Sequence, residues 1–231
     1  MYEARLRHNL PSVEERIGRA LERGSRDARV RIVAVTKGHP VEAIAAAAAA
    51  GLTDIGENRV HELEEKRAAV GSAVRWHLIG HLQRNKVRKA LPLFDLLHSV
   101  DSQRLAAELS REAERAGTDV RVLVQVNASG EASKGGFTAD EGVEPIGAVA
   151  VLPRLRVQGV MTMAPLTDDV TVLRRTFART RALFDACAAA LPETFEPLHV
   201  SMGMSNDFEV AVEEGSTMVR LGTVLFGERQ Q

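Results

Sequence analysis

Three short stretches of this chain hold residue types that can do chemistry. "RIVAVTKGHP" (31–40) is apolar from Ile32 to Val35 and then presents Thr36, Lys37 and His39. A primary amine at the end of a buried strand attacks a carbonyl once its pKa falls far enough for the free base to exist. Apolar neighbours push it that way by disfavouring the ammonium. "SMGMSND" (201–207) offers two hydroxyls and a glycine ahead of a helix starting near Asn206, and "RLGT" (220–223) adds an arginine, another glycine and a hydroxyl. Hydroxyls, close backbone approach and N–H groups at a helix start suit an anion such as phosphate. Each stretch is ambiguous by itself. A lysine at a strand end can simply snorkel to solvent, and a Ser/Gly loop before a helix can be only a cap.

The elements that must position these groups follow from periodicity. Leu6, Leu10, Val13, Ile17 and Leu21 recur at spacings of three and four, which predicts a helix over 3–23. Apolar, β-branched runs predict strands at 30–36, 53–57, 74–80, 96–100, 120–127, 156–163, 197–203 and within 217–227. Helical patterns fall between them at 41–51, 60–70, 85–93, 102–117, 140–153, 170–191 and 206–215, the last with an Asn cap. Ser102 caps the 102–117 helix and Gly117 closes it. Eight strands from residue 30 onward, alternating with helices, imply parallel strands with helical crossovers. The expected fold is α/β, a single (β/α)₈ TIM-type barrel with an extra N-terminal helix. It forms one domain over 1–231, with a helical segment at 1–29 and the barrel at 30–231. An open doubly wound sheet also alternates, but it normally carries a glycine-rich nucleotide turn after its first strand, and here that strand leads into "TKGHP".

In such a barrel the site lies at the C-terminal ends of the strands, with phosphate bound by the loops after strands seven and eight. Those loops are "SMGMSND" and "RLGT". Lys37, after strand one, then stands at the barrel mouth across from a phosphate cradle, which is the arrangement for a Schiff base with pyridoxal phosphate (PLP).

The segments "VAVTKGHP", "DIGENRV", "WHLIGHLQRNK", "HSVDS", "VQGVMTMAP" and "SMGMSNDFEVAVEEGSTMVRLGTVLFG" together closely resemble the YggS/PROSC family of pyridoxal phosphate homeostasis proteins, from about residue 30 onward. The resemblance implies a barrel like the N-terminal domain of alanine racemase. It implies that Lys37 carries the cofactor as an internal aldimine, with Asn58 of "GEN" beside the ring. Ser201, Gly203 and Ser205 match the family's phosphate loop after strand seven, and Gly222 and Thr223 match the contacts after strand eight. Arg220 faces either the pyridine nitrogen or the phosphate. Val35 and Met161 are candidates to pack on the ring, and His81 and His199 are further candidates near it. "TKGHP" and "NDF" depart mildly from the family pattern without removing a binding group.

The resemblance implies a carrier that buffers PLP within the cell and hands it to apo PLP-dependent enzymes, with no catalytic residue. The competing reading is an amino-acid racemase. Racemisation needs a base on each face of the α-carbon. Lys37 supplies one. Alanine racemases take the other from a tyrosine in a second domain, whereas the only tyrosine here, Tyr2, precedes the barrel. Cys187 falls within a long helix, and His39, His81 and His199 remain as substitutes.

Composition excludes other classes. A formal net charge of −1 favours neither nucleic acid nor a membrane surface. One cysteine allows neither an internal disulfide nor a thiolate metal cluster, no metal site is expected, and the charged N-terminus lacks a signal-peptide core, so a cytoplasmic monomer is expected. His8 and His61, "EEKR" (64–67) and "RRTFARTR" (174–181) read as solvated helix faces, and "LQRNKVRK" (82–89) as a basic segment that either docks an acidic partner surface or binds nothing.

Overall fold

The computed structural model describes residues 1–26, 29–131 and 135–228. It begins with helix α1 (Tyr2–Arg23), whose buried Leu6, Leu10, Val13, Ile17 and Ala20 form one face. The barrel follows: β1 (Arg31–Val35), α2 (Val41–Ala49), β2 (Asp54–Glu57), α3 (Val60–Val70), β3 (Arg75–Leu78), the single turn α4 (Val87–Ala90), β4 (Leu96–Val100), α5 (Gln103–Ala116), β5 (Val120–Asn127), a two-residue strand β6 (Phe137–Thr138), α6 (Glu144–Ala150), β7 (Leu155–Met161), α7 (Val170–Ala190), β8 (Phe195–Ser201), α8 (Phe208–Glu213), β9 (Met218–Leu221) and α9 (Thr223–Phe226).

All strand pairings are parallel, in the order β4-β3-β2-β1-β9-β8-β7-β5, and β4 also pairs with β5, so eight strands close on themselves. β6 adds only to the end of β5 and is not a barrel stave. The expected (β/α)₈ barrel is therefore present. The differences are at element ends. The 85–93 helix is one α-turn between two 3₁₀ turns, and the 140–153 pattern keeps only Glu144–Ala150, where Gly142 at φ 68° breaks it from the preceding turn. β9 stops at Leu221 and α9 begins at once. α8 starts at Phe208 with Asp207 rather than Asn206 at its cap.

The core has two parts. Most buried apolar side chains lie between strands and helices, while Val33, Leu96, Leu123, Met161 and Met218 form a smaller cluster of their own. Strand alternation then assigns the faces. Val33 belongs to the small cluster and Ala34 to the large one, so Val33 and Val35 share the inward side of β1, and Lys37 follows two residues beyond its end. β7 and β8 shift register around Gly159, whose Cβ would sit 1.8 Å from the His199 carbonyl oxygen, so only glycine lets these strands approach. α1 closes the outside of the barrel beside α8 and α9: Arg5 donates to Phe226 O (2.7 Å), Asn9 to Leu225 O (3.0 Å), and Arg23 pairs with Glu213 (2.6 Å).

Candidate functional site

At the C-terminal mouth of the barrel lies a cavity of about 270 Å³. That is the small end of ligand pockets and suits a one-ring ligand rather than a dinucleotide. It is lined by Val35 and Lys37 after β1, Ile79 after β3, Ala164–Thr167 after β7, Met204–Asp207 after β8, and Arg220, Gly222 and Thr223 on and after β9. Six of the residues singled out in the sequence thus converge: Val35, Lys37, Ser205, Arg220, Gly222 and Thr223. Ser205 Oγ accepts the Val224 N–H (3.3 Å), which ties the β8 loop to the β9 loop. A Cβ at Gly222 would meet Val35 O at 3.3 Å, so this glycine keeps β9 close to β1 where Lys37 emerges.

Arg220 is buried, and its guanidinium is held by neutral oxygens. Nη1 donates to Ser201 O (2.8 Å) and Ser201 Oγ (2.7 Å), and Nη2 donates to Thr162 O (2.9 Å). Burial lowers its pKa to about 10, partly opposed by Asp207. It therefore remains a cation at neutral pH. Three of its hydrogen bonds go to protein, out of five N–H groups.

The other expected residues sit differently. Ser201 is fully buried, and its Oγ is committed to Arg220 and to His98 Nδ1 (3.0 Å), so it supports Arg220 from beneath instead of lining the cavity. Gly203 has φ 95°, and a Cβ there would collide with Ala211 (2.7 Å), so it is needed for the tight passage from β8 to α8. Asn58 follows β2 in phase with Asp54 and Gly56 and is exposed at the mouth. Gly80 makes room for it, since a Cβ there would lie 2.9 Å from Asn58 Cγ. Met161 is buried in the small interior cluster rather than in the cavity lining. His81 is exposed on the rim and bonds Asp101 (2.8 Å).

His199 is at the wrong end. It lines another cavity, with Arg31, Asp54 and Arg75, at the N-terminal ends of the strands, and burial lowers its pKa to about 4. As the register pairs Ser201 with Met161 at the end of β7, His199 falls two residues lower, on the side away from the mouth. Tyr2, by contrast, is not remote. α1 brings its hydroxyl to His39 Nδ1 (3.2 Å), with both rings against Phe226. Neither Tyr2 nor His39 lines the cavity.

Sequence reasoning missed a buried cluster that grips the backbone on both sides of Lys37. Thr36 Oγ1 donates to Glu57 Oε1 (2.5 Å), Lys66 Nζ donates to Thr36 O (2.8 Å) and Glu57 Oε1 (2.6 Å), and the Gly38 N–H donates to Glu62 Oε2 (3.0 Å). Lys66 also lies 3.6 Å from Glu62. Burial raises the Glu57 pKa against the pull of Lys66 and Thr36, and Glu57 Oε2 has no hydrogen-bond partner among the described residues. The "EEKR" run is thus not wholly a solvated face, since Lys66 points inward. "RRTFARTR" is likewise divided: Arg174 and Arg175 are exposed, while Thr176, Phe177 and Thr180 are buried. His8 and His61 are exposed as expected. The signal for the Lys66 cluster was present in Thr36, directly after β1, and Glu57, the last residue of the adjacent β2.

Residues 3–230 match the family model described as the alanine racemase, N-terminal domain. The pyridoxal phosphate homeostasis protein of Aquifex aeolicus is 39% identical over 227 residues, covering 96% of this chain and 97% of that protein. Among solved structures, a protein of Bifidobacterium adolescentis titled as unknown superposes with a TM-score of 0.91 at 36% identity, over 97% of this chain and 96% of that one. PipY of Synechococcus elongatus, in a structure titled with PLP bound, superposes with a TM-score of 0.78 at 37% identity, over 86% of this chain and 92% of that one. With this likeness running nearly end to end, and with a racemase-type barrel whose mouth holds Lys37, the chain belongs to the pyridoxal phosphate homeostasis protein family.

Proposed function

We propose that this protein holds pyridoxal 5'-phosphate reversibly at the barrel mouth and serves its homeostasis as a carrier and buffer, without catalytic turnover. The observation that carries the reading is the single cavity that gathers Lys37, Ser205, Arg220, Gly222 and Thr223 from three separate strand ends. PipY, a relative at 37% identity, is titled with PLP bound, and the curated relatives carry the homeostasis name.

The residues fit the group. PLP supplies an aldehyde that a primary amine can hold covalently, and Lys37 is the amine in this cavity. The hydroxyls of Ser205 and Thr223, with the closely approaching backbone at Gly222, are assigned to the phosphate. Arg220 sits one residue deeper along β9 than the Leu221–Gly222 turn and is assigned to the ring side. Because it keeps its protons, it donates to an acceptor there and does not deliver a proton. Asn58 at the rim and Val35 in the wall complete the proposed contacts, whereas Ser201 and Gly203 act by holding the frame. Lys66 is a second amine near the site, but its protons are spent on Thr36 and Glu57. Those contacts hold it beneath the rim, outside the cavity lining where Lys37 stands.

The lining supports the reading without turnover. The titratable groups that line the cavity are Lys37, Arg220 and Asp207. Asp207 accepts the Met204 N–H (2.5 Å) within its own loop. Cys187 is buried in α7, and burial raises its pKa to about 11. Among the described residues, no histidine, cysteine or tyrosine belongs to that lining to act as a second base. Transfer to apo-enzymes and a monomeric state belong to the same proposal. Among the described residues no helix is long and apolar enough to cross a membrane.

The test is to load the full chain with PLP, reduce it with borohydride and map the modified peptide. Label on Lys37 supports the proposal, and label elsewhere, or none, overturns it. Incubation of the loaded protein with L-alanine should give no racemisation; turnover above roughly 1 s⁻¹, the low end of ordinary enzymes, overturns the carrier reading.

A further inference from the structure

A continuous line of buried polar groups crosses the barrel lumen from its N-terminal face to Arg220. Asp54 Oδ1 lies 2.9 Å from His77 Nε2, His77 Nδ1 lies 2.9 Å from His98 Nε2, and His98 Nδ1 lies 3.0 Å from Ser201 Oγ. Arg220 Nη1 then donates to Ser201 Oγ (2.7 Å). Asp54, His77, His98, Ser201 and Arg220 are each 5% exposed or less. At the outer end Arg75 grips Asp54 with two hydrogen bonds (2.8 and 2.6 Å), with Arg31 at 3.7 Å. Burying this many polar atoms is costly unless each finds a partner, and here each does.

For a neutral His77 the chemistry of the groups gives every bond one direction. Asp54, an anion held by two arginines, can only accept, so His77 carries its proton on Nε2. A neutral His77 accepts at Nδ1, which requires the proton of His98 on Nε2. His98 then accepts at Nδ1 from the Ser201 hydroxyl, whose oxygen accepts from Arg220. All four bonds run the same way, from a cation at the mouth to an anion at the opposite face. The alternative, a doubly protonated His77, would turn His98 around. Ser201 Oγ would then receive N–H groups from both His98 and Arg220, and its own proton would have to leave the line.

We propose that Asp54, His77, His98 and Ser201 are positioning residues for Arg220, forming a one-way hydrogen-bond line that ties the ligand cavity at the mouth to the Asp54–Arg75–Arg31 ion cluster on the far face. This rests on the reading that the mouth holds PLP, and it adds Asp54, His77 and His98 to the residues expected to bear on the ligand. None of Asp54, His77 and His98 lines the cavity, so their effect on the ligand passes through Arg220.

The test has two arms on the full chain. In the first, nitrogen-15 NMR of the protein without ligand reads the histidine tautomers at neutral pH. Both His77 and His98 should be neutral with the proton on Nε2; either ring found doubly protonated, or with its proton on Nδ1, overturns the line. In the second, PLP is titrated into His77→Phe, His77→Asn and Asp54→Asn. The phenylalanine cuts the line and should weaken PLP about tenfold, the scale of one hydrogen bond to a charged group. Asparagine at 77 keeps an acceptor for His98, and should preserve the His98 tautomer and recover most of the affinity. Asp54→Asn should mix the tautomers of both histidines and weaken PLP a few-fold. PLP affinity within twofold of the parent in both His77→Phe and Asp54→Asn, with the tautomers unmoved in Asp54→Asn, overturns the proposal. Should His77→Phe not fold, as read by its thermal melt, the His77→Asn and Asp54→Asn pair decides alone. If the parent itself does not take up PLP, the proposed function fails, while the NMR arm still reads the line.

Discussion

Arg75 and Arg220 sit at opposite ends of the same barrel and are satisfied in opposite ways. Arg75, at the start of β3, meets a carboxylate: both oxygens of Asp54 accept from it, and this pairing raises its pKa. Arg220, near the end of β9, meets two carbonyl oxygens and a hydroxyl, and burial lowers its pKa to about 10. Charged hydrogen bonds are roughly twice as strong as neutral ones. The first arginine therefore has its full electrostatic complement inside the fold, whereas the second is oriented but not neutralised. The contrast teaches where the fold is finished and where it waits for something. At the N-terminal face arginine charge is matched by Asp54, and the mouth holds a fixed cation beside Lys37 with room for an acceptor.

The comparison can be broken most directly at the mouth. Lys37→Ala should abolish covalent retention of PLP altogether, seen as loss of the visible absorption band and of the borohydride-trapped adduct; a persisting adduct would move the site. Arg220→Gln should weaken PLP by roughly ten- to a hundredfold, since it removes hydrogen bonds from a charged donor, and an unchanged titration would show that this cation holds no ligand.

The next effect concerns the clamp around Lys37. Glu57→Gln leaves Lys66 buried without its closest anion, and removing one member of a buried pair costs about 3 kcal/mol or more. Urea unfolding should show that loss, and a midpoint equal to the parent's would show the pair to be dispensable.

The acid limb of the pH–stability profile sharpens the contrast further. Burial pushes the Asp54 pKa up, but Arg75, His77 and Arg31 outweigh it and hold it well below its ordinary value of 3.8. A depressed carboxylate contributes stability that is present above 3.8 and lost as pH falls below it. Glu57, on the same strand, is shifted the other way, so its charged form costs stability as pH rises above its ordinary 4.5. Chemical denaturation across the acid range should therefore show a shallower acid loss in Asp54→Asn than in the parent. The smallest effect is expected at His199→Gln, which should leave PLP affinity within twofold; a larger loss would mean that the two ends are not separate.

How much of this was legible in the sequence depends on which side of a strand a residue faces. The strand-and-helix alternation exposed the barrel because each crossover helix carries its own apolar face. Lys37 was legible because an amine follows an apolar strand run and two anion-suited loops follow the last strands, and those loops, after β8 and β9, were legible because glycine and hydroxyls mark them. The lumen was not. A histidine such as His77 or His98 in an apolar run looks like an isolated polar residue, and only strand register reveals that the two rings touch across neighbouring strands. His199 misled for the same reason: its strand was right, but its height in the barrel was not visible. Lys66 sat in a charged helical run, and nothing local distinguishes the one side chain that reaches under the barrel rim to Glu57.

The closure of the ring by β1 against β9 pairs Arg31 with Met218, and α1 bonds to the carbonyls of Leu225 and Phe226. Pairings of such long sequence separation are slow to form, because loop entropy is lost before any contact compensates it. During synthesis, Lys37 leaves the ribosome long before the β9 loop that completes its pocket. A nascent chain thus exposes the amine without the groups that would select a ligand for it, and PLP can stabilise the barrel only as a late step, after the last strand has docked.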